Sequence, residues 1–245
     1  MPKFTKYDKD GDTGYACGLF PSIELAKRRP GAVRALLIQP GTRETEGFAR
    51  LAGLLPADIY IEEAPRAIER ISGKESCRVI AVFEKYGQAL DASRPHIVLH
   101  NISDMGNLGA IARTCLGFDY DQAALIRPCA DPFDPRCVRA SMGALFGVNI
   151  ALFDSYEAYE SLFPKHTPYF FRLTNARDLF TVKPTGLPAL VFGNEGAGLP
   201  EPLCARGTGV RIPHNQQIDS LNLAVAVGIG VSYFAAAIGL SADKF

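Results

Sequence analysis

The sequence lacks the paired ligands of a metal-binding protein: it has no Cys-x-x-Cys pair and only 4 histidines among its 245 residues. Ligand spacing typical of structural zinc is therefore absent, and no metal is expected. The 6 cysteines, at positions 17, 77, 115, 129, 137 and 204, are predicted to be reduced and mostly buried. Cys115 follows a glycine-rich motif, but no sequence feature supplies the base that a nucleophilic thiol needs.

The sequence also lacks an excess of charge, because 26 Lys and Arg residues balance 26 Asp and Glu residues. A nonspecific polyanion binder, whose affinity depends on many phosphate contacts, is therefore not expected, whereas a specific RNA or nucleotide ligand is compatible with this balance. The segment 1–15 mixes polar and charged side chains and has no apolar stretch like that of a signal peptide. These features favour a cytoplasmic protein.

Hydrophobic residues make up 47% of the chain, enough for one large or two small globular domains. Strand patterns at 33–39, 58–63 and 79–84 alternate with helical patterns at 22–29, 47–55 and 65–72. The segment 85–95 then loses apolar periodicity and ends in proline, which predicts a linker. Residues 1–90 are therefore predicted to form a small α/β domain.

A second alternation of strands and helices follows, and residues 95–245 are predicted to form a second α/β domain. Strands are expected at 96–102, 123–128, 148–153, 168–173, 188–192 and 209–212, and helices at 107–117, 135–146 and from 221 onwards. This order predicts a parallel sheet covered by helices on both faces. In such sheets, ligands bind at the loops beyond the carboxyl ends of the strands.

The end of the chain contains 18 residues without a charge, from Leu223 to Leu240. Their number suits a membrane span. The many Ala and Gly residues and the missing basic flank favour a buried helix in a globular domain instead. Ala224, Gly228 and Ser232 recur at every fourth position and would give this helix a face of small residues that tolerates close contact with another backbone. A homodimer built partly on this face of the 221–240 helix is therefore predicted.

Three loops carry residues suited to ligand binding. The first, "NISDMGNLGAIARTC" (101–115), sets Asn107 between two glycines and places Arg113 in the following helix. The second, "LVFGNEGAGLP" (190–200), surrounds Glu195 with three glycines, which let a ligand approach the backbone. The third, "IPHNQQIDSLN" (212–222), ends at the apolar run. Each also has an ordinary interpretation, namely a strand-to-helix turn, a solvated loop acid, and a helix cap formed by Asp219 or Ser220.

In order and spacing, the three loops resemble the signature motifs of the SpoU (TrmH-like) RNA 2'-O-ribose methyltransferases, members of the SPOUT superfamily. The matching segments are Asp104–Thr114, Phe192–Leu199 and Ile212–Asn222. Met105 stands where the family usually has proline, and Gln216 where it often has glycine. Residues 1–90 resemble, more weakly, the small RNA substrate-binding domain that precedes the catalytic domain in many of these enzymes.

The resemblance implies a methyltransferase domain with a deep trefoil knot, assembled as a homodimer, with S-adenosylmethionine as the methyl donor. By motif position, the backbone at Gly193, Ile212 and Leu221 would hold that donor. The substrate would be the ribose 2'-hydroxyl of ribosomal RNA, or alternatively of tRNA. A relative that binds RNA without catalysis is a further alternative.

By the same resemblance, Arg113 has the central catalytic role, assisted by Asn107, Glu195, Ser220 and Asn222. Arginine stays protonated at neutral pH and is a poor base. Its expected role is therefore to orient a phosphate and stabilise the developing oxyanion as much as to accept the proton. Ser220 and Asn222 are expected to offer their polar groups to the substrate, to Arg113 or to Glu195, while Asp219 is expected to begin the C-terminal helix.

Overall fold

The structure, a computed structural model, describes residues 4–74, 76–215 and 217–240. Its contacts divide the chain into two compact units. One contains the residues up to Tyr86 together with Asp131–Gly147, and the other contains Gly87–Ala130 and the chain from Val148 onwards. The sequence-based division into 1–90 and 95–245 treats each unit as continuous and did not anticipate that 131–147 packs within the first. Gln216 lies outside the described residues.

The first unit is built on a four-stranded sheet with the order β1-β4-β2-β3. Its strands are β1 (Thr13–Cys17), β2 (Val33–Ile38), β3 (Tyr60–Glu63) and β4 (Val79–Glu84), and its first helices are α1 (Leu19–Arg28), α2 (Glu46–Ala52) and α3 (Pro65–Ser72). Strand β4 runs antiparallel to β1 and β2, whereas β2 and β3 are parallel. The sequence prediction missed β1, in which a Cβ at Gly14 would lie 2.2 Å from the Phe83 ring.

The second unit contains a seven-stranded sheet with the order β7-β6-β5-β10-β8-β11-β9. Its strands are β5 (His96–His100), β6 (Gln122–Ile126), β7 (Asn149–Phe153), β8 (His166–Phe171), β9 (Arg177–Asp178), β10 (Leu187–Phe192) and β11 (Thr208–Arg211). Every neighbouring pair of strands is parallel, which confirms the predicted parallel α/β sheet. The carboxyl ends of these strands therefore lie along one edge. The trefoil knot stays a prediction from the resemblance.

Among the described residues, four α-helices accompany this sheet: α4 (Met105–Gly117), α6 (Tyr156–Leu162), α7 (Glu201–Cys204) and α8 (Leu223–Ala237). Helix α8 packs against α4 and β10, and it buries Val227, Val231 and Phe234 completely. It begins after Asn222, so the expectation that Asp219 begins the helix was wrong. Within the described part of the chain, no helix has both the length and the apolar character needed to cross a bilayer.

The segment that interrupts the second unit carries helix α5 (Pro135–Ala140) and a 3₁₀ helix at Ala144–Gly147. The single helix predicted at 135–146 is broken because Met142 and Gly143 have φ angles of 52° and 80°. Aromatic contacts explain why the segment belongs to the first unit. The Phe83 ring of β4 packs edge-on against Phe133 and Phe146, with ring centroids 5.7 and 5.3 Å apart.

A pair of histidines lies at the amino ends of two strands of the second sheet, His96 in β5 and His166 in β8. His96 is fully buried, with Nδ1 3.0 Å from the Tyr159 hydroxyl and Nε2 3.0 Å from the Asp91 carbonyl oxygen. Because a carbonyl only accepts, Nε2 carries the proton and Tyr159 donates to Nδ1. The His166 ring stacks on His96 at 3.9 Å. Burial is the main cause that lowers the pKa of His96, to about 4.

This pKa predicts a loss of stability in acid. His96 is neutral in the folded chain but takes up a proton near pH 6.5 when unfolded, so its contribution is present above that pH and is lost as pH falls towards about 4. The free energy of unfolding should fall by about 2 kcal/mol between pH 7 and pH 5 from this group alone. Urea unfolding at both pH values measures the change. His96→Gln should abolish that increment, and an unchanged pH dependence in the variant would contradict this assignment.

Candidate functional site

The loops after β5 and β10 meet at the carboxyl edge of the sheet, because these two strands are neighbours. The Asn194 side chain joins them: its Nδ2 donates to the Asn101 carbonyl oxygen at 2.8 Å. Its Oδ1 accepts from the backbone N–H groups of Gly196 and Ala197, at 2.9 and 3.0 Å. One amide therefore fixes both the shape of the glycine-rich loop and its position beside the first loop.

Glu195 receives hydrogen bonds from the first loop. Its carboxylate accepts from Asn107 Nδ2 at 3.1 Å, and from the backbone N–H groups of Ser103 and Asp104 at 3.5 and 3.4 Å. Burial by itself raises the pKa of Glu195, but these bonds and one from its own backbone outweigh burial and hold the pKa below its usual value. The side chain is thus an ionised carboxylate anchored at the start of α4, where the helix dipole favours negative charge.

Asn107 connects Glu195 to the third loop. Its Oδ1 accepts from Asn222 Nδ2 at 3.1 Å, while its own Nδ2 donates to Glu195. Asn222 also caps α8, because its Oδ1 accepts from the N–H groups of Ala224 and Val225 at 2.9 and 3.3 Å. The three loops are therefore joined by one chain of side-chain bonds, Glu195 to Asn107 to Asn222.

Beside this chain of bonds lies a pocket of about 420 Å³. Gly193, Ile212 and Leu221, the three positions predicted to hold a cofactor, all line it. Its wall includes the stacked rings of Phe171 and Phe192, whose centroids are 4.1 Å apart. The pocket thus offers bare backbone and apolar ring surface to a ligand, the combination typical of cofactor sites.

Ser220 and Glu195 line the pocket, whereas Arg113 and Asn222 do not. Arg113 is exposed on α4, and it has no hydrogen bond or ion pair to any residue in the described ranges. Asn222 contacts Asn107 rather than Arg113 or Glu195, and its expected contact with the substrate stays a prediction. The structure thus brings Glu195, Asn107 and Asn222 together and leaves the guanidinium accessible from solvent.

Sequence reasoning missed two pocket residues, Arg172 and Glu201, which form an ion pair at 2.5 Å. They come from the loop after β8 and from α7, outside the three motifs, so no local pattern marked them. It also passed over the role of Asp104, which caps α4 by accepting from the Asn107 N–H at 2.6 Å.

Five cysteines are buried and Cys129 is half-buried, as predicted. Burial raises the pKa of the Cys115 thiol to about 12, so it is not a nucleophile at neutral pH. Within residues 4–74, 76–215 and 217–240, no three His, Cys, Asp or Glu side chains are grouped so as to hold a metal.

The glycine loop gives a direct test of this geometry. A Cβ at Gly193 would lie 2.3 Å from the carbonyl carbon of Gly198, so the obstacle is the loop's own backbone rather than the pocket space. Gly193→Ala should therefore force the loop open and lower the free energy of unfolding by about 1–3 kcal/mol. Gly196→Ala is the matched control, because its Cβ meets only Asn194 Oδ1 at 3.6 Å. Urea unfolding compares the two, and equal stabilities would contradict the close approach.

Comparisons with known proteins agree on one family. The model of the SpoU rRNA methylase family matches residues 94–232. The 23S rRNA (guanosine(2553)-2'-O)-methyltransferase RlmP of Bacillus subtilis is 25% identical over 217 residues, covering 84% of this chain and 82% of that protein. An uncharacterized tRNA/rRNA methyltransferase of Synechocystis is 31% identical over 149 residues, which cover 56% of this chain and only about half, 51%, of the relative.

A solved structure is similar along nearly the whole chain. The AdoMet-bound rRNA methyltransferase from Sinorhizobium meliloti superposes with a TM-score of 0.77 at 25% identity, covering 94% of this chain and 88% of that chain. The family match spans more than half of the sequence and includes all three loops of the site. The chain therefore belongs to the SpoU rRNA methylase family.

Proposed function

We propose that this protein is an S-adenosylmethionine-dependent RNA methyltransferase that methylates a ribose 2'-hydroxyl of ribosomal RNA. The observation that carries the proposal is the pocket: two of the three loops with the family's motifs line it, the first loop is hydrogen-bonded to both of them, and Gly193, Ile212 and Leu221 all line it. The names of the relatives support the same activity, since RlmP is a 23S rRNA 2'-O-methyltransferase.

The residues present fit S-adenosylmethionine. The pocket volume of about 420 Å³ is within the usual range for small-molecule sites. Backbone groups for the adenosine and methionine parts of the donor come from Gly193, Ile212 and Leu221. The rings of Phe171 and Phe192 supply apolar surface. When bound, this donor supplies an electrophilic methyl group on a sulfonium.

The protein's own groups must then position the ribose hydroxyl and stabilise its negative charge as the proton leaves. Arg113 suits that role because it is exposed and has no competing bond among the described residues. Its guanidinium binds an RNA phosphate and stabilises the oxyanion. Glu195 is a poor base, since its carboxylate is already held by several donors and its pKa is lowered. It fixes Asn107 and the first loop instead.

The first unit is proposed to bind the RNA. The resemblance of residues 1–90 to the small RNA substrate-binding domain of these enzymes supports this role, and the name of RlmP favours ribosomal RNA. Transfer RNA stays the second candidate, since the Synechocystis relative is described as a tRNA/rRNA methyltransferase. A non-catalytic RNA-binding relative is disfavoured, because Arg113, Glu195, Ser220 and Asn222 are all present.

Methylation of total RNA from a deletion strain tests the function. With labelled S-adenosylmethionine, the wild-type protein should transfer label that appears, after nuclease digestion, in 2'-O-methylnucleosides. Arg113→Ala should lower single-turnover methylation by roughly 100-fold or more, the scale of losing an oxyanion-stabilising group. Its affinity for the donor, measured by calorimetry, should stay within about threefold, because Arg113 does not line the pocket.

Label on a base would contradict the ribose assignment, and label in tRNA would select the second substrate. Loss of donor binding in Arg113→Ala would place the guanidinium in the cofactor pocket and contradict the division of roles. Asp58→Asn, which changes an exposed acid in the first unit, is the control for donor binding, since that unit is proposed to bind the RNA rather than the donor.

We also propose a homodimer formed partly by α8. Val225 is 52% exposed, and Ser232 and Ala236 are exposed on the same side of the helix. Gly228 was expected on the face of α8 that forms the dimer. It lies instead on the side that packs within the same chain, since a Cβ there would contact Thr114 of α4 at 3.5 Å. The unpartnered face is therefore centred on Val225 and Ser232 rather than on Gly228.

Val225→Lys should weaken the dimer at least about tenfold, because it buries an unpaired charge in the interface. Light scattering at micromolar concentration, over a dilution series, measures the dissociation. Leu162→Lys is the matched control, since Leu162 on α6 is 67% exposed and lies away from the proposed interface. A monomeric wild type at these concentrations would refute the dimer.

A further inference from the structure

The pocket carries an unbalanced negative charge at Asp219. This residue lies in the third loop, is exposed and lines the pocket. Its carboxylate forms no hydrogen bond or ion pair with any residue that the structure describes. A carboxylate free of protein partners at the wall of a ligand pocket is available to a cation.

The other charged groups of the pocket are already engaged. Arg172 and Glu201 form an ion pair with each other, and Arg172 is the one Lys or Arg side chain among the pocket's lining residues, all of which lie in the described ranges. Glu195 accepts hydrogen bonds from the first loop and from Asn194. His214 also lines the wall, and its Nδ1 donates to the Ile212 carbonyl oxygen at 2.9 Å. Glu195 and Asp219 therefore both make the field felt by a ligand negative, and Asp219 is the one of the two whose carboxylate has no hydrogen-bond donor among the described residues.

The charge of the donor changes during the proposed reaction. S-adenosylmethionine carries a sulfonium, an ammonium and a carboxylate, which sum to one positive charge. Transfer breaks the sulfur–methyl bond, forms the oxygen–methyl bond on the ribose, and releases the hydroxyl proton to solvent. The sulfur keeps the electron pair as a thioether, so S-adenosylhomocysteine has no net charge. An unpaired carboxylate beside the ligand attracts the positively charged donor. It does not attract the product in the same way, because the product has no net charge.

We propose that Asp219 is a specificity-determining residue that favours the cationic donor over the neutral product and so assists product release. The proposal rests on the proposed function, because it assigns S-adenosylmethionine to this pocket. Solvent screens an exposed carboxylate, so the preference that it adds is modest, about fivefold in affinity.

Calorimetric titration of the full-length protein with three ligands tests the proposal. The ligands are S-adenosylmethionine, S-adenosylhomocysteine and sinefungin, which carries an ammonium where the donor carries its methylsulfonium. Asp219→Asn should weaken the binding of S-adenosylmethionine and of sinefungin about fivefold. It should change the affinity for S-adenosylhomocysteine by no more than about twofold. Asp219→Glu should retain the preference, and Asp58→Asn should match the wild type. Added salt should weaken donor binding more in the wild type than in Asp219→Asn.

Each other result overturns the proposal. Equal weakening of all three ligands would show a structural role for Asp219 in the loop, and unchanged affinities would show that its charge is not felt. This inference alone would be refuted if the wild type binds the three ligands and methylates RNA, but Asp219→Asn keeps the same preference for the cationic ligands over S-adenosylhomocysteine. A wild type that binds none of the ligands would refute the proposed function with it.

Discussion

The site depends on the hydrogen bonds through Asn107. This amide donates to Glu195 and accepts from Asn222, so it joins loops that are 88 and 115 residues away along the chain. Because each bond ends on a different motif, the three motifs hold one another in place. An amide suits this position, since it offers a donor and an acceptor at once. A carboxylate at 107 would repel Glu195, and an apolar side chain would leave both partners unsatisfied.

The same bonds set the beginning of two helices. Asp104 caps α4 and Asn222 caps α8, and both caps lie next to the bonds that Asn107 makes. Since α4 and α8 pack against each other, the helix pair and the loops share a single geometry. Glu195 adds a negative charge at the start of α4, where the exposed N–H groups and the helix dipole stabilise it. The starts of both helices and the loops of the site are thus held by one group of polar contacts.

The glycine-rich loop shows how a binding surface is made from backbone. Asn194 closes the loop with its own side chain, and the Asn194 and Gly198 backbones exchange hydrogen bonds at 3.1 and 3.0 Å. Gly193 permits that return because no Cβ stands between the two segments. The loop therefore needs glycine at position 193 for its internal contacts. The same glycine leaves bare backbone facing the pocket. The sequence analysis had explained the glycines of this loop only by the approach of a ligand to the backbone.

The sequence by itself determined the parallel α/β class, most of the strands, the three loops and some of the residues that line the pocket, among them Gly193, Ile212 and Leu221, because apolar periodicity and glycine-rich motifs are local properties. It missed β1, where Gly14 and small residues give no strand pattern, and it did not anticipate that 131–147 packs with the residues before Gly87. Only the tertiary structure decided that Asn222 bonds Asn107, that Gly228 faces α4, and that Asp219 stands unpaired in the pocket. These facts depend on contacts between residues that are distant in the chain. Local sequence patterns do not encode such contacts, because the residues meet only when the sheet and helices pack together.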